Sequence, residues 1–255
     1  MPRLTLNFLG VCVADHAPSR AFYERVLGFR TGQPPKARWA FFGATLEERA
    51  PLTCHGMVYE LFSFGNKPSR RQVVFPWVQV REPDRVLAKL KDARKASCPG
   101  FGDGYDVAAP ENIHWFATGP DPRCGKLDAP LVSGVELRVH DLPTMRDFYT
   151  KVIGLKPESG DEAAAVLTQS PSLPILVLVR STDIPLEQRN AHSTAQDAPV
   201  WLSCETESIE KTAAALRKQH VHVTQDVECQ DWGGTDMIIN DPEGNPIQLV
   251  EYLAE

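Results

Sequence analysis

The sequence predicts an α+β protein built from one strand–helix–strands pattern used four times. Three observations carry this. The stretch "VCVADHAPSRAFYERVLGF" (11–29) aligns with "LRVHDLPTMRDFYTKVIGL" (137–155), so that Asp15 and Asp141, Phe22 and Phe148, Tyr23 and Tyr149, Val26 and Val152, and Gly28 and Gly154 all stand 126 residues apart. The stretch "FPWVQVREPDRVLAKL" (75–90) lies over "WLSCETESIEKTAAAL" (201–216) at the same spacing. Within each of the four segments the apolar pattern changes from alternation to helical spacing, as at a strand–helix boundary. The chain of 255 residues therefore divides into two halves of one architecture, 1–128 and 131–255, joined through "PDPRCGKLDAPLVSG" (120–134).

In the first unit Val11 and Val13 alternate along a strand, and Asp15 stands where a helix N-cap is needed, its carboxylate able to accept from the first free backbone amides. Phe22, Val26 and Phe29 follow at helical spacing, and Gly28 supplies the left-handed stop. The third unit repeats this with Asp141, Phe148, Val152 and Gly154. The second and fourth units place helices over 84–94 and 208–219. "MIINDPEGNPIQLVEY" (237–252) reads as strand, tight turn and closing strand, with Asp241-Pro242 opening the turn and Gly244-Asn245 closing it.

Composition narrows the function. With 42% hydrophobic and 24% charged residues and a net charge of −6, the chain has no basic run and no aromatic–basic interleaving, so no nucleic-acid partner is expected. No apolar run approaches the roughly 20 residues of a membrane span, and "MPRLTLNFLGVCVAD" lacks the features of a signal peptide. The six cysteines form no CxxC, and Cys12 and Cys204 fall inside strands, which points to free core thiols in a reducing, cytoplasmic setting.

The motifs "V-x-D…FY…LGF", "V-x-D…FY…IGL" and "DPEGNPIQLVEY" resemble those of the glyoxalase / bleomycin-resistance / extradiol-dioxygenase group, the vicinal-oxygen-chelate superfamily. The resemblance implies four βαβββ units forming two open, barrel-like, eight-stranded mixed sheets with helices outside. Consecutive units would pair, giving one glyoxalase-like domain in each half, with the ligand on the concave face.

Strand alternation then assigns the cavity residues. Gly134, Glu136 and Arg138 face one cavity, and Phe8, Gly10 and Cys12 the other. Trp201, Ser203 and Glu205 point inward in the fourth unit, as do Phe75, Trp77 and Gln79 in the second. Metal-dependent relatives hold a divalent ion there with His and Glu ligands. Carried over, the second half offers Gly134, Val177, Trp201 and Gln248, and the first offers Phe8, Glu60, Phe75 and Asp128. Aromatic, aliphatic and glycine residues cannot supply the donors that a borderline cation needs, so no metal and no other cofactor are expected.

The expected ligand site comprises Glu60, Glu136, Arg138, Trp201, Ser203, Glu205, Trp232 and Gln248, binding or sequestering a small, partly aromatic molecule. Trp201 reads equally as a pocket wall or as core, and Trp232 as the rim. Glu136 and Arg138 read as a ligand-orienting pair or a structural bridge. Gln248 takes the position of a metal-binding Glu and reads as a hydrogen-bonding group. The alternative is a divergent lyase, isomerase or dioxygenase-like enzyme acting on a small metabolite. His55 and His114 are the better acid–base candidates of the first half, with a structural role as the other reading, whereas His220 and His222 alternate along a strand after the fourth helix. The chain is expected to work as a monomer or homodimer.

Overall fold

The computed structural model describes residues 3–29, 39–42, 58–62, 67–90, 93–121, 127, 130–169, 176–189, 192–230 and 233–252. Two curled mixed sheets carry helices on their outer faces. The first unit contains β1 (Leu4–Cys12), α1 (His16–Phe22), β2 (Trp39–Phe42) and β3 (Val58–Phe62). The second contains β4 (Val74–Gln79), α2 (Pro83–Leu87), β5 (Arg94–Cys98), β6 (Gly102–Ala109) and β7 (Ile113–Thr118). The third contains β8 (Leu131–Val139), α3 (Leu142–Lys151), β9 (Lys156–Gly160), β10 (Ala164–Thr168) and β11 (Leu176–Arg180). After the short α4 (Leu186–Arg189) comes the fourth unit, β12 (Val200–Thr206), α5 (Ile209–Lys218), β13 (Val223–Cys229), β14 (Thr235–Asn240) and β15 (Pro246–Glu251).

The helix signals act as expected. Asp15 accepts from the Ala17 amide, and Asp141 accepts from the Thr144 amide. α1 runs on into a π-helical turn, Tyr23–Leu27, that closes at Gly28 in the left-handed region at φ 85°, and Gly154 takes φ 89° shortly after α3. The second-unit helix is shorter than the expected 84–94. It closes after Leu87, because three-residue turn bonds from Lys89 and Leu90 replace the helical ladder and β5 begins at Arg94. His220 and His222 precede β13 rather than lying on it; His220 takes φ 56°, and the His222 ring stacks on His192.

Consecutive pairing of the units is corrected. The sheet orders are β13-β14-β15-β12-β1-β3-β2 and β5-β6-β7-β4-β8-β11-β10-β9. The first unit therefore joins the fourth, and the second joins the third, so each sheet draws strands from both halves. The first sheet has seven strands among the described residues. Antiparallel seams between β1 and β12 and between β4 and β8 hold the units together. The repeat is kept in register across these seams: Gly10 stands opposite Trp201, and Glu136 stands opposite Phe75.

The main core lies on the helix-bearing faces and takes Leu9, Val11 and Val13 from one sheet and Val135, Leu137 and Val139 from the other. Two matching polar contacts tie the sheets to each other. Trp115 Nε1 donates to Tyr23 Oη at 3.1 Å, and Tyr149 Oη donates to Asp241 Oδ2 at 3.1 Å. Both tyrosines come from the repeated "FY" pair, and both are fully buried. The "DPEGNP" turn extends the second tie. Asp241 accepts from the Glu243 and Asn245 amides, and Glu243 accepts from the His140 and Asp141 amides at the start of α3. Burial raises the Asp241 carboxyl to about 6.

Candidate functional site

The inner face of the first sheet is read row by row from its ladders. One row runs Ile238, Gln248, Ser203, Phe8. The next on one side is Asp236, Val250, Glu205, Thr5, and on the other Trp201, Gly10, Glu60. The ladders place Trp201, Ser203 and Glu205 on one face, as alternation predicts, together with Gln248, and set Glu60 at the register position beside Gly10. Of Glu60, only the backbone placement is described, and Trp232 and Asp128 lie outside the described residues, as does His55.

Trp201 is buried to 1% exposure and packs against Cys12, Ala195, Ala198 and Ile238, with Phe62 at 5.1 Å. Its indole occupies the space above Gly10, so Trp201 acts as core here. Gln248 donates its amide to Asp236 at 2.7 Å, and Asp236 also accepts from Gln225 and Gln230. Burial nevertheless raises the Asp236 carboxyl above its ordinary value. Sequence reasoning missed Asp236. Its signal was available, because Asp236 and Ile238 alternate along β14 on the face of Gln248.

On the second sheet Phe75, Trp77, Cys98, Phe116, Val166 and Val177 fill the centre of the inner face, with Phe101 stacked on Trp77 at 5.1 Å. This is packed core. Chemistry-bearing groups collect at one end of it. Arg138 Nε donates to Glu136 Oε1 at 3.0 Å, and the Arg138 guanidinium lies 4.2 Å above the Phe75 ring. Glu136 is 5% exposed, so its charge is compensated by Arg138 in an environment where an unpaired carboxylate would be costly. The Glu136 carboxylate and burial together push the Cys98 thiol up, burial having the larger effect. Two strands away, His114 Nδ1 pairs with Asp106 Oδ1 at 2.7 Å.

Phe75, Asp106, His114 and Arg138 line a pocket of about 390 Å³, within the roughly 300–1,000 Å³ of small-molecule sites. Its floor is Phe75, Phe116, Arg138, His114 and Asp106, and its roof is the strap Lys67 to Gln72, with Cys12 and Pro199 of the other sheet at the side. The strap is fastened from above. Arg70 donates to Ser193 Oγ and to the Gln188 and Gly244 carbonyls, and the Gln188 side chain bridges the Arg71 amide and carbonyl. Lys67, Arg70, Arg71 and Arg138 oppose one acidic lining residue, Asp106. Cationic side chains thus outnumber acidic ones in the lining over an aromatic floor, with the Arg138 charge paired to Glu136. Of the residues expected to bind ligand, Arg138 lines it and Glu136 holds Arg138. Trp201, Ser203, Glu205 and Gln248 belong to the other sheet.

The ladders also correct the two sets of metal positions. Phe8, Glu60, Trp201 and Gln248 form one set, in the first sheet; Gly134, Val177, Phe75 and Phe116 form the other, with Phe116 rather than Asp128 as the counterpart of Gln248. The second set has no side-chain donor and lies in packed aromatic core. In the first, the Gln248 amide nitrogen is already given to Asp236, and the Trp201 indole fills the space over Gly10. Neither fits a catalytic divalent ion. Among the described residues, no three His, Cys, Asp or Glu side chains converge on a metal-sized site. Among the same residues, no helix is long and apolar enough to cross a membrane.

Residues 132–249 match the model of the Glyoxalase/Bleomycin resistance protein/Dioxygenase superfamily. A mutant of glyoxalase I from Zea mays shares the fold at TM-score 0.70 and 15% identity, covering 97% of this chain and 92% of that one. The cppA protein from Streptococcus pneumoniae TIGR4 does so at TM-score 0.53 and 11% identity, covering 98% of each. No curated protein matches the chain.

Proposed function

Since residues 132–249 match the model of the Glyoxalase/Bleomycin resistance protein/Dioxygenase superfamily, we propose that the chain uses this fold to bind a small, partly aromatic anion without a metal. The observation that carries this reading is the Arg138 guanidinium, fixed by Glu136 and laid over Phe75 at the floor of the 390 Å³ pocket. A planar ring can stack in line with Phe75 and Phe116 while its acidic group meets Arg138, Arg71 and Lys67. The substitutions at the usual metal positions support the metal-free part.

Calorimetric titration tests the ligand class. Benzoate and phenylpyruvate are expected to bind at least tenfold more tightly than benzylamine, with affinity falling as salt rises. Equal affinity for the cation would sink the reading. Metal analysis of protein purified without chelator tests the second part. Zinc, nickel, manganese and iron are each expected well below one equivalent after dialysis, and one retained equivalent would contradict a metal-free site.

A further inference from the structure

We propose that the same pocket is a proton-transfer site in which His114 acts as general base and then general acid on a small 2-oxo acid. The inference rests on the anion-binding reading above and gives that site a chemistry.

Asp106 on β6 and His114 on β7 are diagonal neighbours of one hairpin, since Asp106 pairs with Phe116 and His114 with Ala108. The 2.7 Å contact makes His114 Nδ1 the donor to the Asp106 carboxylate, which leaves the lone pair on Nε2. Among the described residues nothing hydrogen-bonds to Nε2, and the ring lines the pocket. The backbone beneath is clamped. The Gln72 amide donates to the His114 carbonyl at 2.7 Å and accepts from the His114 amide at 2.7 Å, which makes Gln72 a positioning residue. Across Phe75, Arg138 spends its Nε on Glu136, and its two terminal nitrogens make no hydrogen bond to a described residue. The floor thus presents a held base and a cation held over the Phe75 ring.

A base and a cation suit proton transfer at a carbon next to a carbonyl. His114 Nε2 takes the proton from that carbon. The C–H pair becomes the new C=C bond, the carbonyl π pair moves onto oxygen, and the enolate oxygen faces Arg138. Lys67 and Arg71 hold the carboxylate. The imidazolium, stabilised by Asp106, returns its proton to carbon or to oxygen. Nothing is oxidised or reduced, and no co-reactant is consumed.

Proton NMR of phenylpyruvate in D₂O tests this. The protein is expected to speed exchange of the benzylic protons well above the buffer rate. His114→Gln is expected to remove about 10²-fold of that rate or more, the scale of general acid–base catalysis. Asp106→Asn keeps the side-chain shape but fixes the wrong tautomer, so it is expected to lose at least tenfold and to change the pH profile, which a structural pair would not. It also serves as the test where His114→Gln does not fold. Binding of phenylpyruvate with exchange at the buffer rate overturns this inference alone, as does a folded His114→Gln protein that exchanges like wild type. Failure of phenylpyruvate to bind at all overturns the anion-binding reading beneath it.

Discussion

Gly10→Ala is expected to destabilise the protein by about 3 kcal/mol or more, the upper end for overpacking a filled core. A Cβ at position 10 would sit 1.9 Å from Trp201 Cε2 and 2.1 Å from Cζ2. The indole cannot swing aside cheaply, because Phe62, Ile238, Cys12, Ala195 and Ala198 enclose it. For a chain of this size the loss corresponds to a fall in Tm of about 6–12 °C, measurable by calorimetry. The double variant Gly10→Ala/Trp201→Leu should recover part of the loss, with a coupling of about 1–2 kcal/mol. A single variant that melts within 2 °C of wild type would show that the ring does not occupy this space. The same pair shows what fills the centre of this inner face: the indole of Trp201 lies over Gly10, and glycine on the neighbouring strand makes room for it.

Local structure was legible because local chemistry determines it. Asp15 and Asp141 announce helix starts, Gly28 and Gly154 announce stops, and alternation places Glu136 and Arg138 on an inner face. Which unit joins which was not legible. Consecutive pairing and the observed pairing bury the same alternating residues, so periodicity cannot separate them, and the β1–β12 seam is a contact between distant parts of the chain. The strap Lys67 to Gln72 was missed for a related reason. "KPSRRQ" reads as an ordinary polar loop until Arg70 and Gln188 dock it over the pocket. The His114–Asp106 pair had a faint signal, since "APEN" is a turn between two strands and places residues 106 and 114 on one face, but the pairing register was needed to see it.

Arg138→Ala is expected to have two separable effects. It removes the cation over Phe75, so affinity for benzoate or phenylpyruvate should fall at least tenfold. It also strands the Glu136 carboxylate, which is 5% exposed and has Arg138 as its ion-pair partner at 3.0 Å. Breaking a buried pair typically costs about 3–5 kcal/mol. Because the Arg138 side chain is 38% exposed, solvent already screens part of the interaction, and about 2 kcal/mol is the expected loss here. Adding Glu136→Gln removes the stranded charge, and the double variant should regain most of the stability in denaturant unfolding. It should regain none of the anion affinity, because the guanidinium is still missing. If the double variant binds the anion as well as wild type, Arg138 is a structural bridge to Glu136 and not the ligand's partner. If the single variant is as stable as wild type yet fails to bind, the Glu136–Arg138 pair contributes little to the fold and serves to aim the guanidinium.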